Sequence, residues 1–336
     1  MIGYDAIDPV PLQNFRSLET IGLGLVFRIM EKRIHAAHHQ TEEKQMTSMP
    51  VYFLSHGGGP WPYVEDMRQH FAKTEHAFMA LPGRLPAKPK AVLVITGHWE
   101  EEEFTISTAE HPPMVYDYYG FPEHTYHIQY PAPGSPELAS GVKALLSKAG
   151  ISAKEDADRG FDHGTFVPLA LMYPNAEVPI VMLSLKSGYN PQEHIRVGQA
   201  LQPLRDEGVL IIGSGLTYHN MSGFGRNEST PIAEAFEHCL SKAIEQSDPK
   251  IRNAMLANWE TMPGARLAHP REDHLIPLMV VSGAAGADKG RSIFVDHVMK
   301  VPMASYEFGR NRLVGNEQNM LEGAGVRRGD HAGIYQ

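Results

Sequence analysis

Three histidines in this sequence follow short apolar runs. "VYFLS" leads into His56, "AVLVITG" into His98, and "VLIIGSGLTY" into His219. Imidazole is the commonest metal ligand and titrates near neutrality, so such residues can hold an ion or move a proton. The chain has 18 histidines and one cysteine. Any metal chemistry must therefore rest on imidazole and carboxylate, since a cysteine-rich zinc site has no ligands to draw on. Two more histidines stand at turn-to-helix junctions: His163 in "RGFDHGTFVPL" and His274 in "HPREDHLIPLMVVSGAAG". Loops at such junctions carry function on a rigid scaffold.

The apolar runs read as strands by their β-branched and aromatic content. Ligands of open α/β sheets bind beyond the carboxyl ends of strands, so three strand-end histidines can meet at one rim. Gly57, Gly58 and Gly59 follow His56, and Gly97, Gly213 and Gly215 stand near His98 and His219. They are expected to let the backbone turn sharply and approach a ligand. A lone histidine at a strand end is ordinarily a hydrogen-bonded structural residue. Three in one structural context point to a metal site, and this reading of the residues leaves both open.

The remaining pattern supplies the scaffold. "PIVMLSL" (179–185) is a further buried strand. "ELASGVKALLSKAG" presents Leu138, Val142, Leu145 and Leu146 on one helical face, and "PQEHIRVGQALQPLRDEG" is a second helix. "TPIAEAFEHCLSKAIEQ" is a third, with Thr230 expected as its N-cap and Pro231 in the first turn. Strands alternating with helices indicate an α/β fold: a three-layer α/β/α single domain on a mostly parallel or mixed central sheet. "SGAAGADKG" lacks phosphate-loop spacing and reads as a turn, and Cys239 reads as inert within a helix.

Residues 1–49 differ in composition, a short apolar patch broken by Arg28 and then the polar "HAAHHQTEEKQ". They read as an extension, helical or disordered, with His35, His38 and His39 solvated. The patch is too short for a membrane span and lacks a signal-peptide cleavage site. Met46 and Met49 are both candidate starts. Residues 50–310 form the catalytic domain and 311–336 a loose tail. Apolar residues make up 42% of the 336 and charged residues 21%, as in a soluble globule. The net charge of −9 argues against nucleic acid. A single cysteine excludes an internal disulfide and suggests the cytoplasm.

"SHGGGP", "VITGHWE", "YDYYGFPEHTYHIQYPAPGSPELA", "GFDHGTFVPL", "GSGLTYHN" and "HPREDHLIPL" occur in this order over about 50–310. Together they resemble the DODA-type (4,5-DOPA dioxygenase-like) extradiol ring-opening dioxygenases of the class III superfamily. The resemblance implies an α/β fold, a mononuclear non-haem metal site and cleavage of a catecholic ring by dioxygen. It implies His56, His98 and His274 as metal ligands. It implies His219 as the catalytic acid/base, with a place as fourth ligand when zinc is bound, and His163 as a second active-site histidine facing the substrate. Glu272 or Asp273, beside His274, is a further candidate oxygen donor.

The implied cofactor is Fe(2+) for catalysis, with Zn(2+) expected in the isolated protein. The implied partners are a small-molecule catechol and O2, with no nucleic acid and no membrane; a homo-oligomer is left open. A catechol must lose protons to chelate a metal, and an imidazole suits that role and can return a proton later. The loop 116–134 is either a cover over the substrate, with His124, Tyr126 and His127 near it, or surface packing; Trp99 either borders the pocket or packs. Two rival readings of the same cluster are a zinc hydrolase, with Glu100 or Glu272 as base, and a non-catalytic metal-binding protein. Keeping both His163 and His219 argues against the latter.

Overall fold

The computed structural model describes residues 48–309. The expected extension and tail therefore lie outside the described residues, apart from Ser48 and Met49. Met49 is buried against the catalytic unit. Its N–H donates to Arg205 O at 3.1 Å and its carbonyl accepts from Arg205 Nε at 2.7 Å.

Eight strands form one mixed sheet: β1 (Val51–Ser55), β2 (Ala91–Glu101), β3 (Phe104–Ser107), β4 (Ala153–Asp156), β5 (Ile180–Lys186), β6 (Val209–Gly215), β7 (Gly290–Val298) and β8 (Val301–Phe308). Their order is β4-β3-β5-β2-β6-β1-β8-β7. The four strands expected from the apolar runs are β1, β2, β5 and β6. They pair in parallel and make the middle of the sheet. Both faces of these strands are buried, which is why they read as continuous apolar runs. In β1, Val51 and Phe53 enter one core while Tyr52 and Leu54 enter the other.

Two layers of helices cover these faces. The main helices are α1 (Ala72–Ala80), α2 (Pro136–Lys148), α3 (His163–Met172), α4 (Pro191–Leu201), α5 (Ser229–Ile244), α6 (Pro249–Ala257) and α7 (Ile276–Ala284). Leu138 of α2, Ile195 of α4, Phe236 of α5, Leu256 of α6 and Val280 of α7 share one core. Phe78 of α1 and Phe166 of α3 belong to the other. The three-layer α/β/α architecture is thus the one expected. Helix α2 shows the local logic: Ser135 caps it by accepting from Leu138 N, Pro136 stands in its first turn, and Leu138, Val142 and Leu146 face inward.

Three details differ from expectation. Helix α5 begins at Ser229, so Thr230 lies inside it rather than at the N-cap, and its hydroxyl donates to Lys300 O at 2.8 Å. Strand β2 continues past His98 to Glu101, with a register shift against β5 between Ile95 and Glu100. The β7–β8 hairpin and the short pair β3–β4 extend the sheet beyond the expected strands. The consequence for function is positional. Because β2, β6 and β1 are parallel neighbours, their carboxyl ends share one edge, about 5 Å from strand to strand.

Candidate metal centre

Each histidine is placed by a specific local device. His56 follows directly on β1, and its N–H donates to Gly215 O at the end of β6, at 3.1 Å. Gly57 then turns away with φ +84°, and a Cβ there would meet the Trp61 ring at 2.6 Å. His98 sits in the irregular stretch of β2, and a bulge of that kind re-aims a side chain beside a site. His274 lies two residues before α7 and is pinned to the end of β6 by Leu216 N, which donates to His274 O at 3.0 Å. A Cβ on Gly215 would stand 2.0 Å from that same carbonyl. The expectation that these glycines admit a ligand is therefore corrected. All but Gly58, which faces open space, make room for protein neighbours, chiefly the His274 segment, Trp61 and, at Gly59, Phe121.

The three side chains meet. His98 Nε2 lies 3.4 Å from His56 Nε2 and 3.1 Å from His274 Nε2. Three nitrogens cannot all hydrogen-bond one another at that spacing, because a neutral imidazole has a single N–H. Ligand nitrogens held 2.0–2.1 Å from a tetrahedral metal are about 3.3 Å apart. Burial pushes the pKa of His56 and His98 well below the ordinary histidine value, and the neighbouring imidazoles push it further. Burial likewise lowers His274 to about 4, against the opposing pull of Asp273. All three are thus neutral near pH 7 and offer lone pairs, the state a metal requires. The donor set fits an ion such as Fe(2+) or Zn(2+).

His163 and His219 complete the cluster. His163 is the first residue of α3, after the N-cap Asp162, whose carboxylate accepts from Thr165 N. Its ring is 4.0 Å from the His98 ring and stacks on His56 at 5.2 Å with 8° between planes. His219 lies four residues beyond β6 and stacks on His274 at 3.5 Å. Judged by proximity alone, His163 groups with His56 and His98, while His219 groups with Asp273 and His274. The Nε2 contacts decide differently, because Asp273 stands at the Nδ1 edges and not among the converging Nε2 atoms.

Two carboxylates back these rings. Asp273 Oδ1 is 3.3 Å from His219 Nδ1 and 3.0 Å from His274 Nδ1, the latter at an angle that makes no hydrogen bond. Burial alone would raise the Asp273 pKa, but the His219 hydrogen bond and the adjoining His274 imidazole hold it well below the carboxylate range. Asp117 Oδ1 is 2.8 Å from His163 Nδ1, and its Oδ2 is 3.1 Å from His98 Nδ1. Asp117 was not singled out by the sequence. Its only local signal is its place in the loop 116–134.

Other candidates fall elsewhere. Glu272 pairs with Arg266, and Glu100 is bound by Arg271 and Tyr189, so each carboxylate proposed as a hydrolytic base is already engaged. His124 Nε2 is held 2.8 Å from Tyr63 O, and His127 pairs with Glu123 at the surface. Tyr126 packs on Tyr118, whose ring centroid lies 6.0 Å from that of His163 in an edge-on arrangement. Trp99 packs: it is buried, donates to Glu101 Oε1 at 2.9 Å and lies under Arg159. Two surface depressions, one near Glu103 and Lys186 and one near Tyr63 and His124, include none of the five histidines. The donor geometry, not surface concavity, marks the site.

Comparison with known proteins identifies the family. Residues 50–308 match the family model described as the catalytic LigB subunit of aromatic ring-opening dioxygenase. The chain is 43% identical over 240 residues to a 4,5-DOPA dioxygenase extradiol of Beta vulgaris, covering 70% of this chain and 87% of that protein. It is 34% identical over 286 residues to dioxygenase tasH of Hapsidospora irregularis, covering 79% and 87%. The crystal structure of an uncharacterized protein from Escherichia coli K12 superposes with a TM-score of 0.63 at 29% identity, covering 78% of this chain and all of that one.

Proposed function

The chain belongs to the LigB family of ring-opening dioxygenases and is an extradiol dioxygenase of the DODA type, and from that premise we propose that it opens a catecholic ring beside its two hydroxyls, with an iron ion held by His56, His98 and His274. The observation that carries the reading is the convergence of three neutral Nε2 atoms, 3.4 and 3.1 Å from His98 to its two neighbours. Both atoms of O2 enter the product, a muconic semialdehyde-type compound, so the catechol and one O2 account for every atom in it. The ion, when bound, supplies open positions at which catechol and dioxygen can stand side by side.

The chain's own residues supply the rest. His163 and His219 keep their Nδ1 atoms toward Asp117 and Asp273. That arrangement leaves each Nε2 free to accept a hydroxyl proton from the substrate. His219 is the acid/base that returns a proton as the ring opens, a task to which an imidazole is suited. Tyr118 borders His163 and offers an aromatic edge to a ring-shaped substrate. Among the described residues no helix is long and apolar enough to cross a membrane.

Anaerobic loading with ferrous iron, then oxygen uptake with a panel of catechols, tests the reading. DOPA heads the panel because several relatives carry its name. Uptake of one O2 per catechol with a ring-opened chromophore is expected. Ester or amide hydrolysis by the zinc-loaded protein, without oxygen uptake by the ferrous form, would favour the hydrolase instead.

A further inference from the structure

Resting on that reading of the site, we propose that Asp117 is a positioning residue that fixes the tautomers of two imidazoles at once: His98 in the metal set and His163 beside the substrate. The geometry is specific. Asp117 Oδ2 lies 3.1 Å from His98 Nδ1, a close charge contact at an angle outside hydrogen-bond geometry. Its Oδ1 lies 2.8 Å from His163 Nδ1 and accepts the His163 backbone N–H at 3.1 Å. An ionised carboxylate only accepts, so His163 turns a protonated Nδ1 toward it; a lone pair on His98 Nδ1 would face the negative oxygen, which favours the proton on that Nδ1 too. A neutral imidazole has one N–H, so both Nε2 atoms carry lone pairs. The His98 Nε2 lone pair then faces the Nε2 atoms of His56 and His274, where a metal needs it.

The backbone holds Asp117 in register for this task. Val115 N donates to Phe161 O and Phe161 N to Pro113 O, each at 2.8 Å, so a short parallel bridge brings the two segments together. Asp117 and His163 each follow that bridge by two or three residues. The same loop carries Tyr116 and Tyr118, whose hydroxyls donate to Ile128 O and Thr125 O at 2.7 and 2.6 Å. Asp117 therefore joins the aromatic loop to the imidazole cluster through a single side chain.

The two oxygens of Asp117 are not equivalent, and the test uses that. In Asp117→Asn the amide oxygen should stay at the Oδ1 position, where the His163 backbone N–H demands an acceptor. The amide NH2 then faces His98 Nδ1 and favours its proton on Nε2. Zn(2+) affinity, measured by chelator competition, should fall 10- to 100-fold, the scale of losing such a partner. Turnover per bound iron should fall less than in Asp117→Ala, because His163 retains its acceptor. Asp117→Ala removes both contacts. It should lose zinc affinity similarly, and turnover per iron should also fall by about a hundredfold.

Unchanged zinc affinity in Asp117→Asn would overturn the proposal, as would equal turnover per iron in the two variants. Nitrogen-15 NMR of histidine-labelled, unsubstituted protein decides the matter even if neither variant folds. Protons on Nδ1 of both His98 and His163 are expected, and a proton on Nε2 of either ring overturns it. If the unsubstituted protein binds zinc yet cleaves no catechol, the proposed activity fails while the zinc and nitrogen measurements still test Asp117.

Discussion

Asp117 and Asp273 make matching contacts: each carboxylate stands at the Nδ1 edge of one converging imidazole and of one imidazole beside it. Asp117 serves His98 and His163, and Asp273 serves His274 and His219. A carboxylate at Nδ1 sets the ring orientation and raises the basicity of Nε2, as in carboxylate–histidine–metal triads. His56 has no such partner, and its Nδ1 is buried without a hydrogen bond. Its ring is held instead by stacking on His163 and by the turn through Gly57.

Replacing His56, His98 or His274 with Ala should sharply reduce bound metal. The three Nε2 atoms converge, and two remaining imidazoles leave an ion short of protein ligands. Metal analysis of each purified variant, at equal protein concentration, checks this. Full occupancy in all three would remove them from the ligand set.

His219→Ala should retain iron and catechol binding while turnover falls by roughly a hundredfold or more, the scale of one proton-transfer catalyst. Its ring stacks on His274 and its Nδ1 rests on Asp273, which suits an acid/base next to the ion. Iron content alongside oxygen uptake gives the answer. Iron lost in step with activity would make His219 a ligand, and normal uptake would take it out of the mechanism.

A chain starting at Met46 should keep its turnover per bound metal, because no site residue precedes His56. A chain starting at Val51 should melt at a lower temperature. It lacks Met49, whose carbonyl is the acceptor for buried Arg205 Nε, and an unsatisfied buried donor costs about 1–3 kcal/mol. Thermal melts of both chains distinguish the two boundaries. Equal melting temperatures would show that the Met49 contact contributes nothing.

Acid should weaken the fold through two buried histidines outside the cluster. Burial lowers His194 to about 4 and His269 to about 3. The unfolded chain takes up these protons near pH 6.5 while the folded chain does not. The unfolded state thus binds more protons, and stability falls as pH drops from about 6.5 toward the folded values, by up to about 1.4 kcal/mol per pH unit for each group. The converging histidines add the same sign. Urea titrations of metal-free protein should show a flatter dependence in His269→Gln. An unchanged slope would mean that His269 is already charged in the folded state.

The centre of the sheet was legible because doubly buried strands leave an unbroken apolar signature: "VYFLS", "AVLVITG", "PIVMLSL" and "VLIIGSG". The outer strands were not. Strand β4 reads "AKED", and β7 mixes Arg291, Ser292, Asp296 and His297 with its apolar residues, since an edge strand needs no continuous burial. The five histidines could be named from their junctions and from the family resemblance. Asp117 could not, because its meaning lies in contacts 46 residues away with His163 that no local pattern encodes. The Thr230 cap was misread for a related reason: its hydroxyl is drawn to Lys300, 70 residues on, and the helix starts without it.

The converging nitrogens come from positions far apart in the chain. His56 and His98 are separated by 42 residues, and His98 and His274 by 176. No fragment of local structure can bring them together, so each pairing must first overcome the entropy of closing a long loop. The unfolded chain accordingly offers an ion scattered single imidazoles, while the native sheet offers them already gathered. Metal affinity is then a property of the completed tertiary structure, and each factor of ten by which free ion exceeds its dissociation constant is returned as about 1.4 kcal/mol of resistance to unfolding of the whole domain. In that sense an ion held by these nitrogens would act as a clasp on the completed sheet.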